Sequence, residues 1–149
     1  MTFKRQPIKQ LGELLLGISL ITREQLEQAL ALQKTKGGLL GQILVDLGYV
    51  SEDQIAQALT AQYGFPYLPL RNYDVDVEVL KLIPENVARQ YCLIPVDLIG
   101  QTITIAMANP LNTQAIEDVE LMTKCKVQAF VSTASDVNGA IAKYYDGKR

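Results

Sequence analysis

The feature of the sequence that most constrains the fold is an internal duplication. Residues 11–33 read LGELLLGISLITREQLEQALALQ, and residues 40–62 read LGQILVDLGYVSEDQIAQALTAQ, a repeat after a shift of 29. Eight of the 23 aligned positions are identical. Self-similarity at a fixed spacing indicates two copies of one supersecondary unit that bury their apolar faces against neighbouring units. We therefore predict two matching helical units in the first part of the chain.

Each copy has the pattern of a helix, a turn and a second helix. Apolar residues of the first helix recur at i, i+3, i+4 and i+7, which places them on one face. In the two copies these residues are Leu11, Leu14, Leu15 and Ile18, and Leu40, Ile43, Leu44 and Leu47. Gly48 suits a left-handed position after the first helix, where the other copy has the less favourable Ser19.

The second helix of each copy begins with the pattern of a capping box, Thr22 to Gln25 and Ser51 to Gln54. A glutamine ends the apolar face of each second helix, at Gln33 and Gln62. Two interpretations of these glutamines stay open. Their amides either contact solvent at the core boundary or present donors and acceptors beside an apolar floor, as recognition of a planar base requires.

The residues after position 62 predict a linker and a second domain. Two prolines and a glycine in YGFPYLP end the helical pattern, so we interpret residues 63–75 as an extended linker. Pro95 in an apolar run indicates an edge strand. The downstream pattern predicts helices over 76–82, 84–91, 113–123 and 135–145, the last capped by Ser135, and strands over 92–99, 102–108 and 127–132.

The predicted fold class is α+β. An all-helical N-terminal subdomain over residues 1–62, made of two helix-turn-helix repeats, precedes a small α/β sandwich over 76–145 with a sheet of about three strands. Residues 146–149 have the composition of a linker stub, which favours a longer native chain.

Composition argues against several classes of function. Lys and Arg number 14 against 16 Asp and Glu, so no basic surface for nucleic acid or an anionic membrane is expected. The chain has no histidine, no GxxxxGK[ST] phosphate loop and no CxxC pair, and its apolar runs are too short for a bilayer. We predict no catalytic or metal site, no required cofactor, no membrane insertion and a cytoplasmic location with reduced thiols.

Two groups of motifs resemble one bacterial family. The duplicated pattern LGxxL, then QLxxAL and a closing Gln, followed by GFPYLPL, resembles the N-terminal region of type II secretion and type IV pilus assembly ATPases. The segment from Ile83-Pro84-Glu85 through AMANP at 106–110 to Tyr144-Tyr145 resembles their second N-terminal domain. The resemblance implies a non-catalytic regulatory and docking module that binds an inner-membrane platform protein. It also implies an ATPase core that follows in the chain, and a cytoplasmic position peripheral to the inner membrane through partners.

One branch of this family, the MshEN domains, implies an alternative function as a cyclic di-GMP sensor, with the dinucleotide lying across the two repeats. That branch has Arg-Leu-Gly at the start of each copy, where this chain has Gln10 and Leu39, and an acidic residue at the position of Asn109. Arginine binds guanine and phosphate through two parallel hydrogen bonds, and each lost contact costs ~1–3 kcal/mol. The resemblance gives as candidate cyclic di-GMP residues Gln10, Leu11, Gly12, Leu15, Leu30, Gln33, Leu40, Gly41, Leu44, Leu59, Gln62 and Asn109.

Overall fold

The computed structural model describes residues 10–146, apart from the side chains of Asn72 and Asp146. A helical part is followed by an α/β part, which confirms the predicted α+β class. In chain order the helices and strands are α1 (Leu11–Gly17), α2 (Arg23–Lys36), α3 (Leu40–Asp46), α4 (Glu52–Tyr63), α5 (Glu85–Tyr91), β1 (Leu93–Ile99), β2 (Thr102–Met107), α6 (Thr113–Thr123), β3 (Lys126–Val131) and α7 (Ala134–Asp146). Two short 3₁₀ turns, Leu70–Asn72 and Val79–Leu82, precede α5.

Both copies of the duplication fold as the predicted helix-turn-helix unit, α1 with α2 and α3 with α4. Both capping boxes are present. The Gln25 N–H donates to Thr22 Oγ1 at 3.2 Å, and the Thr22 N–H donates to Gln25 Oε1 at 2.9 Å. Ser51 and Gln54 make the same two bonds at 3.1 and 2.9 Å. Each box satisfies two backbone donors that the start of a helix leaves unpaired.

The turn after the first helix of each copy has a left-handed residue, Ser19 with φ 65° in one and Gly48 with φ 79° in the other. The Ser19 N–H donates to the Leu16 carbonyl at 3.1 Å, and the Leu20 N–H donates to the Leu15 carbonyl at 3.0 Å, the two bonds of a Schellman motif. Equivalent bonds of 2.9 and 3.0 Å close the second turn. The sequence prediction for this position is therefore confirmed, and Ser19 carries the strain that a Cβ causes there.

The helical core forms where the copies pack against each other. Leu15, Leu44 and Leu59 are fully buried within it. The glycines that open the first helices lie at close contacts, since a Cβ on Gly12 would lie 2.6 Å from Leu26 Cδ1. A Cβ on Gly41 would lie 3.2 Å from Leu11 Cδ2. These glycines therefore let the helices approach closely.

The sheet of the α/β part has the order β1-β2-β3. β1 and β2 form an antiparallel hairpin, and β2 pairs in parallel with β3, to which it is connected by α6. β1 lies at one edge, as Pro95 predicted, and its register shifts between Pro95 and Asp97. One face of the sheet packs on α7 through a cluster that includes Ile94 and Ile141. The other face packs on α6 through a cluster that includes Ile105 and Val119.

Two local predictions in the α/β part were wrong. The helix predicted over 76–82 is only the 3₁₀ turn Val79–Leu82, because the Asp76 N–H donates to the Val96 carbonyl and its carboxylate accepts the Glu78 N–H. Ser135 does not cap the last helix, which begins at Ala134. Thr133 Oγ1 instead accepts the Asp136 N–H at 3.2 Å.

Residues 63–75, predicted as a linker, join the edge of the sheet. The Leu68 N–H donates to the Val131 carbonyl at 2.9 Å, and the Val131 N–H donates to the Pro66 carbonyl at 2.8 Å. Proline has no N–H, so Pro66 cannot continue this ladder toward the start of β3. Leu70 is buried in the α/β core, and Val131 also packs in the helical core. The two parts therefore share an apolar interface.

Candidate functional site

A cleft of about 1070 Å³ lies between the helical repeats and the α/β part. One side is formed by the end of α2, the start of α3 and part of α4. The other side is formed by the end of α5 and by the segments that lead from β2 into α6 and from β3 into α7. The carboxyl ends of the two parallel strands therefore face the repeats across the cleft, and this edge of an α/β sheet is where ligands commonly bind.

The structure brings seven of the twelve predicted site residues to this cleft. They come from both repeats and from the α/β part: Gln10, Leu11, Leu30, Gln33, Leu40, Gly41 and Asn109. Leu39, which occupies one of the two missing arginine positions, lines the cleft as well. Both positions that hold arginine in the related branch thus border the same space.

The other five predicted residues do not line the cleft. Leu15, Leu44 and Leu59 have no exposed surface and belong to the helical core. Gly12 is buried against Leu26. Gln62 is exposed on α4, outside the cleft. A ligand in the cleft would therefore contact the first turns of α1 and α3 rather than their whole apolar faces.

The two glutamines of the repeats have different surroundings. Gln33 is half-buried at the cleft, and its Nε2 donates to the Gly38 carbonyl at 3.0 Å. This bond leaves its Oε1 as an acceptor. Gln62 makes no such contact within residues 10–146 and is exposed. Of the two interpretations, presentation of an amide beside an apolar floor fits Gln33, and solvent contact fits Gln62.

The α/β side of the cleft carries polar residues that the sequence analysis missed. Asn112 caps α6, with its Oδ1 accepting the Ala115 N–H at 3.2 Å. Ser132 is 1% exposed, and its Oγ has no hydrogen-bond partner among the described residues. Asn138 lies on the first turns of α7 and lines the cleft as well. Their position after parallel strands was the sequence signal that could have identified them.

The cleft is close to neutral. Among its described lining residues only Glu52 and Arg89 are charged. Glu52 Oε1 accepts bonds from the Ser135 N–H at 3.2 Å and the Ser135 hydroxyl at 2.9 Å. The Arg89 Nε donates to Glu85 Oε2 at 2.7 Å. Both charges are thus engaged by the protein, and the remaining polar lining consists mainly of carboxamides and hydroxyls.

Cys92 lies on the α/β side of the cleft in a left-handed conformation, with φ 53°. Burial, and to a lesser extent the charge of Glu52, raise the pKa of its thiol to about 12. A thiol held protonated in this way is a poor nucleophile and a poor metal ligand. Within residues 10–146 no group of three or more Cys, Asp or Glu side chains could hold a metal ion. No helix in that range combines the length and hydrophobicity needed to cross a bilayer.

Comparison with known proteins shows the family. The MshEN domain pattern matches residues 63–149. The type IV pilus assembly ATPase PilB of Myxococcus xanthus (strain DK1622) is 33% identical over 139 residues, which cover 93% of this chain and 25% of PilB. The chain therefore spans about a quarter of that relative's length.

Two solved structures have the same architecture. The structure of MshE with cyclic di-GMP gives a TM-score of 0.68 at 31% identity, covering 93% of this chain and 100% of that one. The N-terminal domain of XpsE gives a TM-score of 0.74 at 23% identity, covering 92% and 99%, and supports the fold alone. On these matches, the chain belongs to the MshEN domain family.

Proposed function

We propose that this chain is the non-catalytic regulatory and docking module of a type IV pilus assembly or type II secretion ATPase. The observation that carries this proposal is the match to PilB, which covers nearly all of this chain but only a quarter of the ATPase. A segment of this size, with no phosphate loop in its sequence, fits a domain that regulates an ATPase core in the same chain. We place the module in the cytoplasm, held at the inner membrane by its partners.

The inner-membrane platform protein of the machine is the partner that we propose. The α/β part exposes large apolar side chains at the end of the sheet away from the cleft. Ile99 and Leu121 are 71% and 78% exposed. Ile99 pairs with Thr102, and Thr102 pairs in turn with Lys126 at the start of β3, so Ile99 lies at the end of the sheet away from the cleft. Several large exposed apolar side chains at one end of a domain favour a protein interface there. We define the apolar end patch as Leu98, Ile99, Leu121 and Met122.

Binding of the purified chain to the cytoplasmic portion of its platform protein, measured by biolayer interferometry, tests this function. The double substitution Ile99→Asp with Leu121→Asp should weaken binding at least about tenfold, because charges would be desolvated at the contact. Tyr67→Asp with Leu30→Asp is the matched control, since these side chains are 45% and 39% exposed and lie at the cleft end of the molecule, away from the patch. Absence of binding by the parent chain, or equal binding by both variants, would contradict docking through this surface.

A second candidate function is sensing of cyclic di-GMP in the cleft. It is favoured by the seven predicted residues that line one space and by the similarity to MshE, which was solved with this ligand. Because the motif arginines are absent, the expected affinity is weak. Calorimetric titration of the chain with cyclic di-GMP tests it, and no heat of binding at millimolar ligand would count against a sensor role.

A further inference from the structure

The α/β side of the cleft presents amide groups whose orientation the backbone fixes. Asn109 Oδ1 accepts the Leu111 N–H at 3.1 Å, and Asn112 Oδ1 accepts the Ala115 N–H. A carboxamide has an acceptor end and a donor end, so a side chain whose oxygen is held in this way presents its NH₂ group. Both residues line the cleft, and neither amide nitrogen has a partner among the described residues. This side therefore offers hydrogen-bond donors.

The repeat side offers the complementary group. The Gln33 Nε2 is held by the Gly38 carbonyl, so Oε1 is the end available to a ligand. Apolar side chains surround it, among them Leu30, which is 39% exposed, and Leu40. The cleft therefore has an acceptor, Gln33 Oε1, among apolar side chains on one side and the amide donors of Asn109 and Asn112 on the other. This arrangement suits a planar base that carries one donor group and several acceptors.

Ser132 is an independent indication that a polar ligand atom reaches this space. Its side chain is buried where β3 leads into α7, it lines the cleft, and its hydroxyl has no partner among the described residues. Buried hydroxyls without a partner are rare, because the loss of water is uncompensated. A ligand atom that bonds the Ser132 hydroxyl would supply that compensation.

The charged groups of the cleft are not arranged to recognise guanine. Guanine presents two adjacent donors, N1–H and N2–H₂, which a carboxylate pairs best, and its O6 and N7 are best paired by a guanidinium. Glu52 is bonded twice by Ser135, and Arg89 is bonded to Glu85. Adenine has one amino donor next to the acceptor N1, and this pattern can pair with an acceptor and a donor from two separate carboxamides, here Gln33 Oε1 and Asn109 Nδ2.

We propose that the cleft binds an adenine-bearing cyclic dinucleotide in preference to a guanine-bearing one. Asn109 determines this specificity by donating to N1 of the base, which is an acceptor in adenine but carries a hydrogen in guanine, and Ser132 contacts the ligand through its hydroxyl. The proposal rests on the second candidate function, in which the cleft binds a cyclic dinucleotide. The near-neutral lining fits the modest charge of phosphodiesters better than that of a nucleoside triphosphate.

Calorimetry on the whole 149-residue chain, with cyclic di-AMP, cyclic di-GMP and ATP in one buffer, tests the proposal. Cyclic di-AMP should bind about tenfold more tightly than cyclic di-GMP, and ATP more weakly than cyclic di-AMP. Equal or tighter binding of cyclic di-GMP would overturn the adenine preference and leave the sensor function standing. Binding of neither dinucleotide would overturn both. ATP binding as tightly as cyclic di-AMP would overturn the choice of a dinucleotide.

Two variants test the residues named. Asn109→Asp keeps the oxygen that accepts the Leu111 N–H but replaces the donor by an acceptor, so the preference should shift about tenfold toward cyclic di-GMP. Asn86→Asp, at an exposed site on α5, adds the same charge away from the cleft. Ser132→Ala should weaken cyclic di-AMP binding several-fold without lowering the unfolding midpoint. If Asn109→Asp and Asn86→Asp alter both affinities alike, or Ser132→Ala binds as the parent does, the assignment of these residues is overturned.

Discussion

Glu52, in the first turn of α4, accepts two hydrogen bonds from Ser135, in the first turn of α7. One carboxylate thus lies at the start of two helices, where the helix dipole favours negative charge. The contact joins the second repeat to the α/β part at the border of the cleft.

We expect Glu52→Ala to lower the free energy of unfolding by about 1 kcal/mol, the usual value for a partly exposed charged hydrogen bond. Urea unfolding of this variant, of Ser135→Ala and of the double variant gives the coupling energy between the two side chains. Glu27→Ala, an exposed site on α2, is the control. Strictly additive losses in the double variant would show that the pair does not stabilise the junction.

The strained turn of the first repeat gives a second prediction. Ser19 has φ 65° where the other copy has Gly48, so Ser19→Gly should raise the free energy of unfolding by about 0.5–1 kcal/mol. Gly48→Ser, the converse change at the equivalent site, should lower it by a similar amount. Both are measured by urea denaturation. A loss of stability in Ser19→Gly would mean that the left-handed conformation is not a source of strain.

Close packing at Gly12 gives a third prediction. A Cβ there would lie 2.6 Å from Leu26 Cδ1, whereas one on Gly17, in the same helix, would meet nothing within 4 Å. Gly12→Val should therefore unfold more easily than Gly17→Val, by about 2 kcal/mol, because the core must move to admit the side chain. Thermal denaturation of the two variants makes the comparison. Equal stabilities would indicate that Gly12 is not needed for packing.

The buried thiol gives a fourth prediction. Burial raises the pKa of the Cys92 thiol to about 12 in the folded chain, so at pH 8 this thiol should react with an alkylating reagent only after unfolding. Unfolded thiols titrate near 9, so between pH 9 and about 12 the unfolded chain loses this proton first, and stability falls as pH rises. Cys92→Ala leaves Cys125 as the control thiol. Rapid labelling of Cys92 in folded protein, followed by mass spectrometry, would contradict this protection.

The missing arginines give a fifth prediction. Gln10 and Leu39 both line the cleft, so Gln10→Arg with Leu39→Arg should tighten cyclic di-GMP binding about a hundredfold, or roughly 1.4 kcal/mol per restored contact. Gln57→Arg with Gln62→Arg adds the same charge on the exposed surface of α4. Calorimetry measures both variants. If the double substitution gives no gain over this control and the parent does not bind, the repeats serve packing and docking only.

The features that could be predicted from the sequence are those that depend on interactions between residues close together in the chain. The capping boxes at Thr22 and Ser51 and the left-handed turns at Ser19 and Gly48 are confirmed, because each depends on a few neighbouring residues. The fold class follows from the same signals. Ser135 was assigned the wrong role because Thr133 and Ser135 both carry a hydroxyl at a position that fits a helix start. The end of β3 at Val131 makes Thr133 the cap.

The candidate site was predictable only in part. Leu11 and Leu15 lie one turn apart on the same apolar face, yet one borders the cleft and the other is fully buried. Helical periodicity cannot predict which of the two leucines borders the cleft, since the position of the α/β part decides which turn of α1 faces it. Ser132 and Asn112 come from segments far from the repeats in the chain, and only the tertiary structure brings them to the same space.

Within residues 10–146 the chain passes from the repeats to the sheet once, at the segment that bonds to Val131. That segment is the covalent connection between the second repeat and the α/β part, and the hydrogen bonds between Ser135 and Glu52 form a second, non-covalent connection at the border of the cleft. A molecule bound in the cleft would contact the repeats on one side and the α/β part on the other. Binding would then change the angle between the repeats and the α/β part, and a partner bound at the apolar end patch would detect that change.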